Sequence, residues 1–543
     1  MNKIHSKILF GVLAILLMAI FFRFWNLTKY PVHLTMDEVA IGNNAYSILK
    51  TGVDEWGVRY PLAFKSVGDY KPPVNVYLTV PSIAVFGLTE YAIRFPVAII
   101  GVLSAVVMIF LARQLGMSLT ESLFAGFFIA VSPWHVHFSR AGFEAVSALF
   151  FFLAGFSLFL YWIKKKKSYL AILSAASFGL SVWTYHSERV FVPIFVLIIL
   201  VLYKDKIKLK VKKDRKQLSL FLLTTLLFAI PFIYLTVFTP AIRTRALSTS
   251  ILRDASLTRN LHEGNYASLI QRVFDNDWYL IYRHWLGKYL NYFDLRFWFW
   301  KGMQFTPPGY PDLGLLYVVN LPLVLMGFYA LVKSNIKLLK RFVLVLFLLG
   351  PIPASFTMNE QHPLRALVWI PFFALITASG FGYLLKIFKK PTKIVCVYVV
   401  FLALNMIYFV DIYTHHFPNY FAEYWQYGYK QSAIFACDHR NEYDKIYISD
   451  TFGTKGPLNT GVPPIYVRFY CKYDPLLHLS QDDMFNIHYA RPNWEEAVRS
   501  TEKALYIAAP WDFPLDEIPK EQIVGGVEYP SGDTAFLYVK NKK

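Results

Sequence analysis

Residues 8–38 read ILFGVLAILLMAIFFRFWNLTKYPVHLTMDE. The apolar run from Ile8 to about Trp25 is long enough to cross a bilayer. It follows Lys3 and Lys7, and no small-residue cleavage site closes it. It therefore reads as an uncleaved first helix and not as a removable signal peptide. A short polar connection leads from it to Asp37-Glu38, two adjacent carboxylates just outside the membrane at the start of a helix-like stretch. The bland alternative for this pair is a solvated helix N-terminus, where acids favour the dipole.

The same kind of run recurs along the chain. The 543 residues are 55% hydrophobic with a mean hydropathy of +0.38, too apolar for a soluble protein of this size. Eleven spans are expected, at about 8–26, 91–112, 120–137, 143–163, 169–185, 188–203, 218–239, 313–332, 341–357, 364–385 and 394–413. The fold class is an α-helical polytopic membrane protein.

Charge tests this count. The net charge of +19 would point to nucleic acid in a soluble chain, but here the excess sits in short loops between spans. With the N-terminus cytoplasmic, Arg113, Lys164 to Lys167, Lys204 to Lys216, Lys333 to Arg341 and Lys386 to Lys393 all fall on the cytoplasmic side. Asp37, Glu38, Asp69, Glu144, Glu188 and Glu360 fall on the other. No nucleic-acid partner is expected. The setting is a multi-pass protein of the plasma (inner) membrane with an extracytoplasmic C-terminus.

Residues 74–88 are apolar but short, and counting them as a span would invert every later loop. They read as an interfacial helix, as do residues 38–50. Three outer regions are large: 27–90, 240–312 and 414–543. The expected division is a transmembrane domain over 1–413 and a small α/β domain over 414–543. In the tail, residues 445–448, 465–469, 504–508 and 535–539 read as strands, and 420–436 and 494–502 as helices. Cys437 and Cys471 both lie in this tail and can pair in an oxidising compartment, although spacing alone does not decide it; Cys396 falls in an apolar run. No internal repeat of the transporter kind is visible.

The unusual polar residues crowd one face. Besides Asp37 and Glu38 they are Tyr70-Lys71, Arg94, Ser139-Arg140, Glu144, Tyr185-His186-Ser187-Glu188-Arg189, His362 and Arg365. Ionisable groups at membrane depth are costly and mark functional paths. Arginine and lysine suit a phosphate, and a carboxylate can take a proton from an attacking hydroxyl. A polyprenyl-phosphate sugar needs both, plus an apolar groove. The bland readings are a snorkelling lysine for Lys71, membrane anchors for Arg94 and Arg365, and an i,i+4 ion pair between Arg140 and Glu144. His135 and His137 read as part of an outer aromatic belt, together with the Tyr and Trp residues of 275–300. No Gly-rich phosphate loop and no Asp-x-Asp metal motif occurs. No cofactor is expected, although divalent-metal ligands converging from distant loops would leave no such motif.

At these residues the chain resembles the GT-C superfamily of integral-membrane glycosyltransferases. It is most similar to family 39 and its relatives, the protein O-mannosyltransferases and the bacterial aminoarabinose transferases. The resemblance rests on Met36-Asp37-Glu38, Tyr70-Lys71-Pro72-Pro73, Glu90-Tyr91-Ala92-Ile93-Arg94-Phe95-Pro96, Ser139-Arg140-Ala141-Gly142-Phe143-Glu144, the 185–189 motif and His362-Pro363-Leu364-Arg365. It covers roughly residues 1–410. It implies that Asp37 is the catalytic base, that Glu38 supports it, and that Lys71 binds the lipid phosphate. Arg94, Arg140 and Arg365 are further phosphate candidates. Glu144 stands where the aminoarabinose transferases have an aspartate. Tyr70, Tyr185, His186, Glu188, Arg189 and His362 are other cavity candidates.

The resulting expectation is an inverting glycosyltransferase. It would move a sugar from a polyprenyl-phosphate donor drawn from the membrane lipids to a protein, lipid or glycan acceptor on the outer face. A lipid-linked oligosaccharide ligase is the nearest alternative. A transporter or flippase would instead place paired charges at the bilayer midplane, with broken helices related by a repeat.

Overall fold

A computed structural model describes residues 3–542 apart from 166, 206–214, 259–267, 275, 303–312, 455, 457–458 and 477–484. Lys166 and most of the 204–216 basic cluster lie outside the described residues. Among the described residues, six helical stretches are long and apolar enough to cross a membrane: Glu90–Gln114, Glu144–Lys165, Arg215–Phe238, Lys337–Ser355, Leu367–Ile387 and Pro391–Phe421. The other expected spans also carry helices, among them Lys3–Phe24, Leu119–Val131, Ser168–Thr184, Glu188–Leu202 and Leu321–Lys333. Some of these are shorter than expected. The span placed at 120–137 stops at Val131, and a separate helix, Pro133–Arg140, begins at Pro133. Pro133 lacks the N–H that would continue the helical ladder, so it starts a new helix at the first-turn position where that loss costs nothing. The span placed at 341–357 divides at Gly350-Pro351 in the same way.

The described residues form two compact units. One draws on residues within 1–25, 97–306 and 312–409, the other on residues within 26–96 and 410–543.

The first unit is the helical bundle. The Leu321–Lys333 and Ile370–Ile387 helices cross backbone to backbone at two glycines. A Cβ on Gly380 would meet the Leu323 carbonyl oxygen at 1.8 Å, and one on Gly327 the Ile376 oxygen at 2.0 Å. Small residues at such crossings replace the hydrophobic drive that lipid cannot supply. Trp369 is buried among Trp298, Phe372 and Phe373. Two belt expectations change here. Trp298 belongs to the core, its indole donating to the Tyr292 carbonyl. His135 and His137 are fully buried, and His135 Nδ1 accepts from Arg23 at 2.9 Å. Arg23 is a buried cation in the first helix; its two terminal nitrogens also reach the carbonyls of Ala19, Ile129 and Ala130, while its Nε has no hydrogen-bond partner among the described residues.

The second unit joins the loop within residues 26–96 to the tail. Leu34, Val39, Ile41, Ala45, Val76 and Ile93 from the loop share one core with Tyr429, Ile446, Tyr466, Leu505, Ile507 and Phe536 from the tail. The tail carries a five-stranded sheet in the order Ile487–Tyr489, Lys445–Ile448, Ala504–Ala508, Thr534–Lys540, Ile523–Glu528. The first three strands are parallel and the last two antiparallel. The run Ile465-Tyr466-Val467-Arg468-Phe469, expected as a strand, is instead the helix Pro463–Tyr470. Its β-branched and aromatic residues favour a strand locally, but Pro463-Pro464 preset a helical first turn, and packing against the loop decides the rest. The 420–436 helix is broken by a turn at 422–428, where Gly428 has φ 107°. Cys437 and Cys471 form a disulfide, with Cα atoms 6.0 Å apart.

Candidate active site

Asp37 and Glu38 open the Met36–Thr51 helix through a reciprocal cap. The Thr35 hydroxyl accepts from the Glu38 backbone N–H, and Glu38 Oε2 accepts from the Thr35 N–H at 2.9 Å. This is the T-x-x-E capping box. It orients the two carboxylates differently. Glu38 points inward and is 2% exposed, whereas the Asp37 side chain is 34% exposed. Gly52 closes the helix in a left-handed conformation, φ 75°, with its N–H on the Ile48 carbonyl.

Glu38 Oε1 accepts from Arg94 Nε at 2.8 Å. The fully buried guanidinium of Arg94 also donates to the carbonyls of Leu27, Pro31 and His33. One arginine thereby ties the 27–33 connection to the carboxylate that caps the helix. Burial pushes the Glu38 carboxyl upward, against the pull of Arg94 and Thr35.

Lys71 reaches Asp37. Its Nζ lies 2.5 Å from Asp37 Oδ1 and 3.6 Å from Asp69 Oδ1, with the lysine side chain only 10% exposed. Local sequence fixes it. Tyr70–Lys71 pairs antiparallel with Phe64–Lys65, around a turn in which Gly68 has φ 70°. Pro72 and Pro73 then start the Pro73–Phe86 helix directly after it. The backbone of Lys71 is thus fixed on both sides.

The tail braces this arrangement. Tyr466 Oη donates to the Leu34 carbonyl, and Asn43 Nδ2 to the Ile465 carbonyl at 2.9 Å. Arg468 pairs with buried Glu55 at 2.9 Å. Glu90, beside Arg94 in sequence, accepts from Tyr470 Oη at 2.7 Å and pairs with Lys430 at 2.9 Å. At Gly42 a Cβ would press on Ile93 and Phe469, so glycine permits the close approach of loop helix and tail helix. Sequence reasoning missed Glu55, Lys430, Tyr466, Arg468 and Tyr470, and His33 as well, which is buried among Tyr427, Tyr466 and Tyr470. No local signal marks them, because their partners lie some four hundred residues away.

The bundle unit holds the remaining candidates. Arg140 donates to the carbonyls of Phe22 and Trp25 at 2.8 and 2.7 Å, tying down the end of the first helix. Glu144 opens the Glu144–Lys165 helix and is buried. Tyr185, His186, Arg189 and Arg365 line a cavity of about 600 Å³, together with Arg245, which the sequence had not singled out as a site residue. Phe232, Trp278 and Trp285 make much of its wall apolar. Arg365 also donates to Asn359 Oδ1. His362 stands just before Arg365, its backbone N–H on Tyr292 Oη. Glu188 is buried, and its Oε2 has no hydrogen-bond partner among the described residues. Among the described residues no group of three or more His, Cys, Asp or Glu side chains is placed to hold a metal ion.

Comparisons with known proteins bear on the fold. Residues 13–245 match the family model of dolichyl-phosphate-mannose-protein mannosyltransferase. The structure of ArnT from Cupriavidus metallidurans in the apo state superposes with a TM-score of 0.53, covering 100% of this chain and 99% of that one at 12% identity. The match to the mannosyltransferase family model covers 233 of the 543 residues, and over its whole length the chain shares the ArnT fold. The same ArnT bound to undecaprenyl phosphate gives a TM-score of 0.51 over 99% of this chain and 98% of that one, again at 12% identity. A second GT-C protein, the Archaeoglobus fulgidus oligosaccharyltransferase, gives 0.50 over 85% of this chain and 61% of its own length, at 12% identity. No curated protein matches the chain by sequence. At these identities the structural likeness speaks for the GT-C fold alone.

Proposed function

We propose that this protein is a GT-C enzyme that transfers one sugar from a polyprenyl-phosphate donor to an acceptor nucleophile at the outer face of the plasma membrane, inverting the anomeric carbon. The observation that carries the reading is the Asp37–Lys71 contact: a part-exposed carboxylate and a shielded ammonium, both fixed by backbone, at 2.5 Å. The reaction needs this pair of groups. The acceptor oxygen attacks the anomeric carbon as its proton passes to Asp37. The bond from that carbon to the phosphate oxygen breaks, and polyprenyl phosphate leaves with the electron pair. Lys71 stabilises the charge growing on the leaving phosphate. A single displacement inverts the centre.

Lys71 rests on the very Asp37 oxygen that an acceptor's proton would need. A donor phosphate competes for the ammonium and uncovers the carboxylate, so the donor binds before the acceptor. Glu38 and Arg94 position the frame around Asp37. Arg189, Arg245 and Arg365, set among apolar walls, suit an isoprenoid phosphate. A protein of the same fold binds undecaprenyl phosphate, which supports the donor class.

The test is release of radiolabelled sugar from a panel of polyprenyl-phosphate sugars by the purified enzyme in micelles, with a crude acceptor extract. Consumption of one donor, with a raised donor KM in Lys71→Gln, is the expected result. If every donor stays intact, the reading fails and the transporter alternative takes its place.

A further inference from the structure

The bundle unit has a second cavity, of about 560 Å³, with a different character. It sits at the opposite end of the same helices. Arg365 lines the first cavity just before the Leu367–Ile387 stretch, and Lys386 lines the second at the end of that stretch. At about 1.5 Å per helical residue the two are roughly 30 Å apart, the thickness of a bilayer's hydrocarbon. When one cavity lies at one membrane edge, the other lies at the headgroup level of the opposite leaflet. The charge pattern assigns that leaflet to the cytoplasm.

Three cations line this cavity: Arg113, Lys333 and Lys386. Arg113 donates to the Met117 carbonyl, and Lys333 lies near the Tyr329 ring. None of the three forms an ion pair among the described residues. Among the described residues of the lining the one acid, Glu121, is occupied, because its Oε2 accepts from the Ser118 N–H in the cap of the Leu119–Val131 helix. The Lys337–Leu349 helix also begins at the cavity wall, at Ile336, with no capping side chain and no acid in its first turn. Its end adds positive potential to that of the three side chains. Beside Lys333, Val332 is 73% exposed and offers an apolar shoulder.

We infer that this cavity binds the phosphodiester headgroup of an anionic glycerophospholipid, with an acyl chain lying along the shoulder at Val332. A basic pocket between membrane helices at this depth has the chemistry for such a headgroup. A zwitterionic lipid would bring a quaternary amine into a cationic lining, and a free phosphate would leave the apolar shoulder bare. The inference is independent of the transfer reaction.

The test is native mass spectrometry of the full chain, released from micelles doped with phosphatidylglycerol or with phosphatidylcholine. The wild type should retain one phosphatidylglycerol in preference to phosphatidylcholine. Lys333→Gln/Lys386→Gln changes two exposed side chains and should lower that retention roughly tenfold or more. Lys389→Gln/Lys390→Gln removes the same charge just beyond the cavity and should leave retention unchanged. The inference is overturned if the cavity variant keeps the lipid, if both variants lose it equally, if phosphatidylcholine is held as well, or if millimolar inorganic phosphate displaces the lipid.

Discussion

Replacing Glu38 by Gln separates two neighbouring carboxylates that look alike in the sequence. In the wild type, Glu38 is the counter-charge of a fully buried arginine and half of a capping box. Gln keeps the shape but loses the charge. Its amide can offer oxygen to Arg94 or to the Thr35 N–H, but its other end is a donor and cannot accept from the second. Breaking a buried ion pair by removing one partner costs about 3–5 kcal/mol, and losing a cap about 1 kcal/mol. Arg94 keeps three carbonyl acceptors, so the low end, about 3 kcal/mol, is expected. For a unit of this size that corresponds to a fall in midpoint of roughly 6–12 °C. Scanning calorimetry in micelles reads it. The loop–tail transition is identified by its response to reductant, since Cys437–Cys471 lies in that unit. Asp37→Asn, at a part-exposed contact, should change the same midpoint by about 1 kcal/mol or less. A Glu38→Gln midpoint within about 1 °C of wild type, or equal falls in both variants, would refute the assignment of structural work to Glu38 and chemistry to Asp37.

Three further outcomes are expected. Burial lowers the His33 pKa to about 4 and raises that of Glu55 to about 7. The fold therefore loses His33's contribution as pH falls from 6.5 toward 4, and Glu55's as pH rises from 4.5 toward 7, each worth about 3 kcal/mol. The two slopes oppose each other in the wild type. Relative to it, His33→Gln should lose stability with rising pH and Glu55→Gln with falling pH, read from melting midpoints between pH 4.5 and 6.5. Reducing Cys437–Cys471, which closes a separation of 34 residues, should lower loop–tail stability by about 4 kcal/mol, measured by denaturant titration with and without reductant. Gly380→Leu would drive a side chain into the Leu323 carbonyl and should abolish the monodisperse peak in size-exclusion chromatography.

Much of this molecule is legible from its sequence, for identifiable reasons. Span positions follow from apolar runs, and the start of the Asp37 helix from Thr35 and Glu38 at cap spacing. The tail strands at 445–448 and 504–508 follow from β-branched and aromatic content. The strand Ile523–Glu528 was not visible, because its two glycines hide the pattern. What stays invisible is long-range. Nothing around Arg468 announces Glu55, and nothing around Arg94 says that its donors turn to the carbonyls of 27–33. Arg140 reads like a phosphate ligand by its place near the membrane edge, yet two of its donors hold the end of the first helix. Charge at a membrane boundary tells where polar work is done, but the acceptor each cation finds depends on the packing.

The central claim is that Asp37 takes the proton in a displacement from a lipid-phosphate sugar. It is tested most directly by single-turnover transfer from the consumed donor in micelles, comparing wild type with Asp37→Asn. The account predicts that Asp37→Asn still binds the donor and keeps its melting midpoint to within about 4 °C, while transfer falls by at least about a hundredfold. Transfer by Asp37→Asn at a rate within a few-fold of wild type would contradict it.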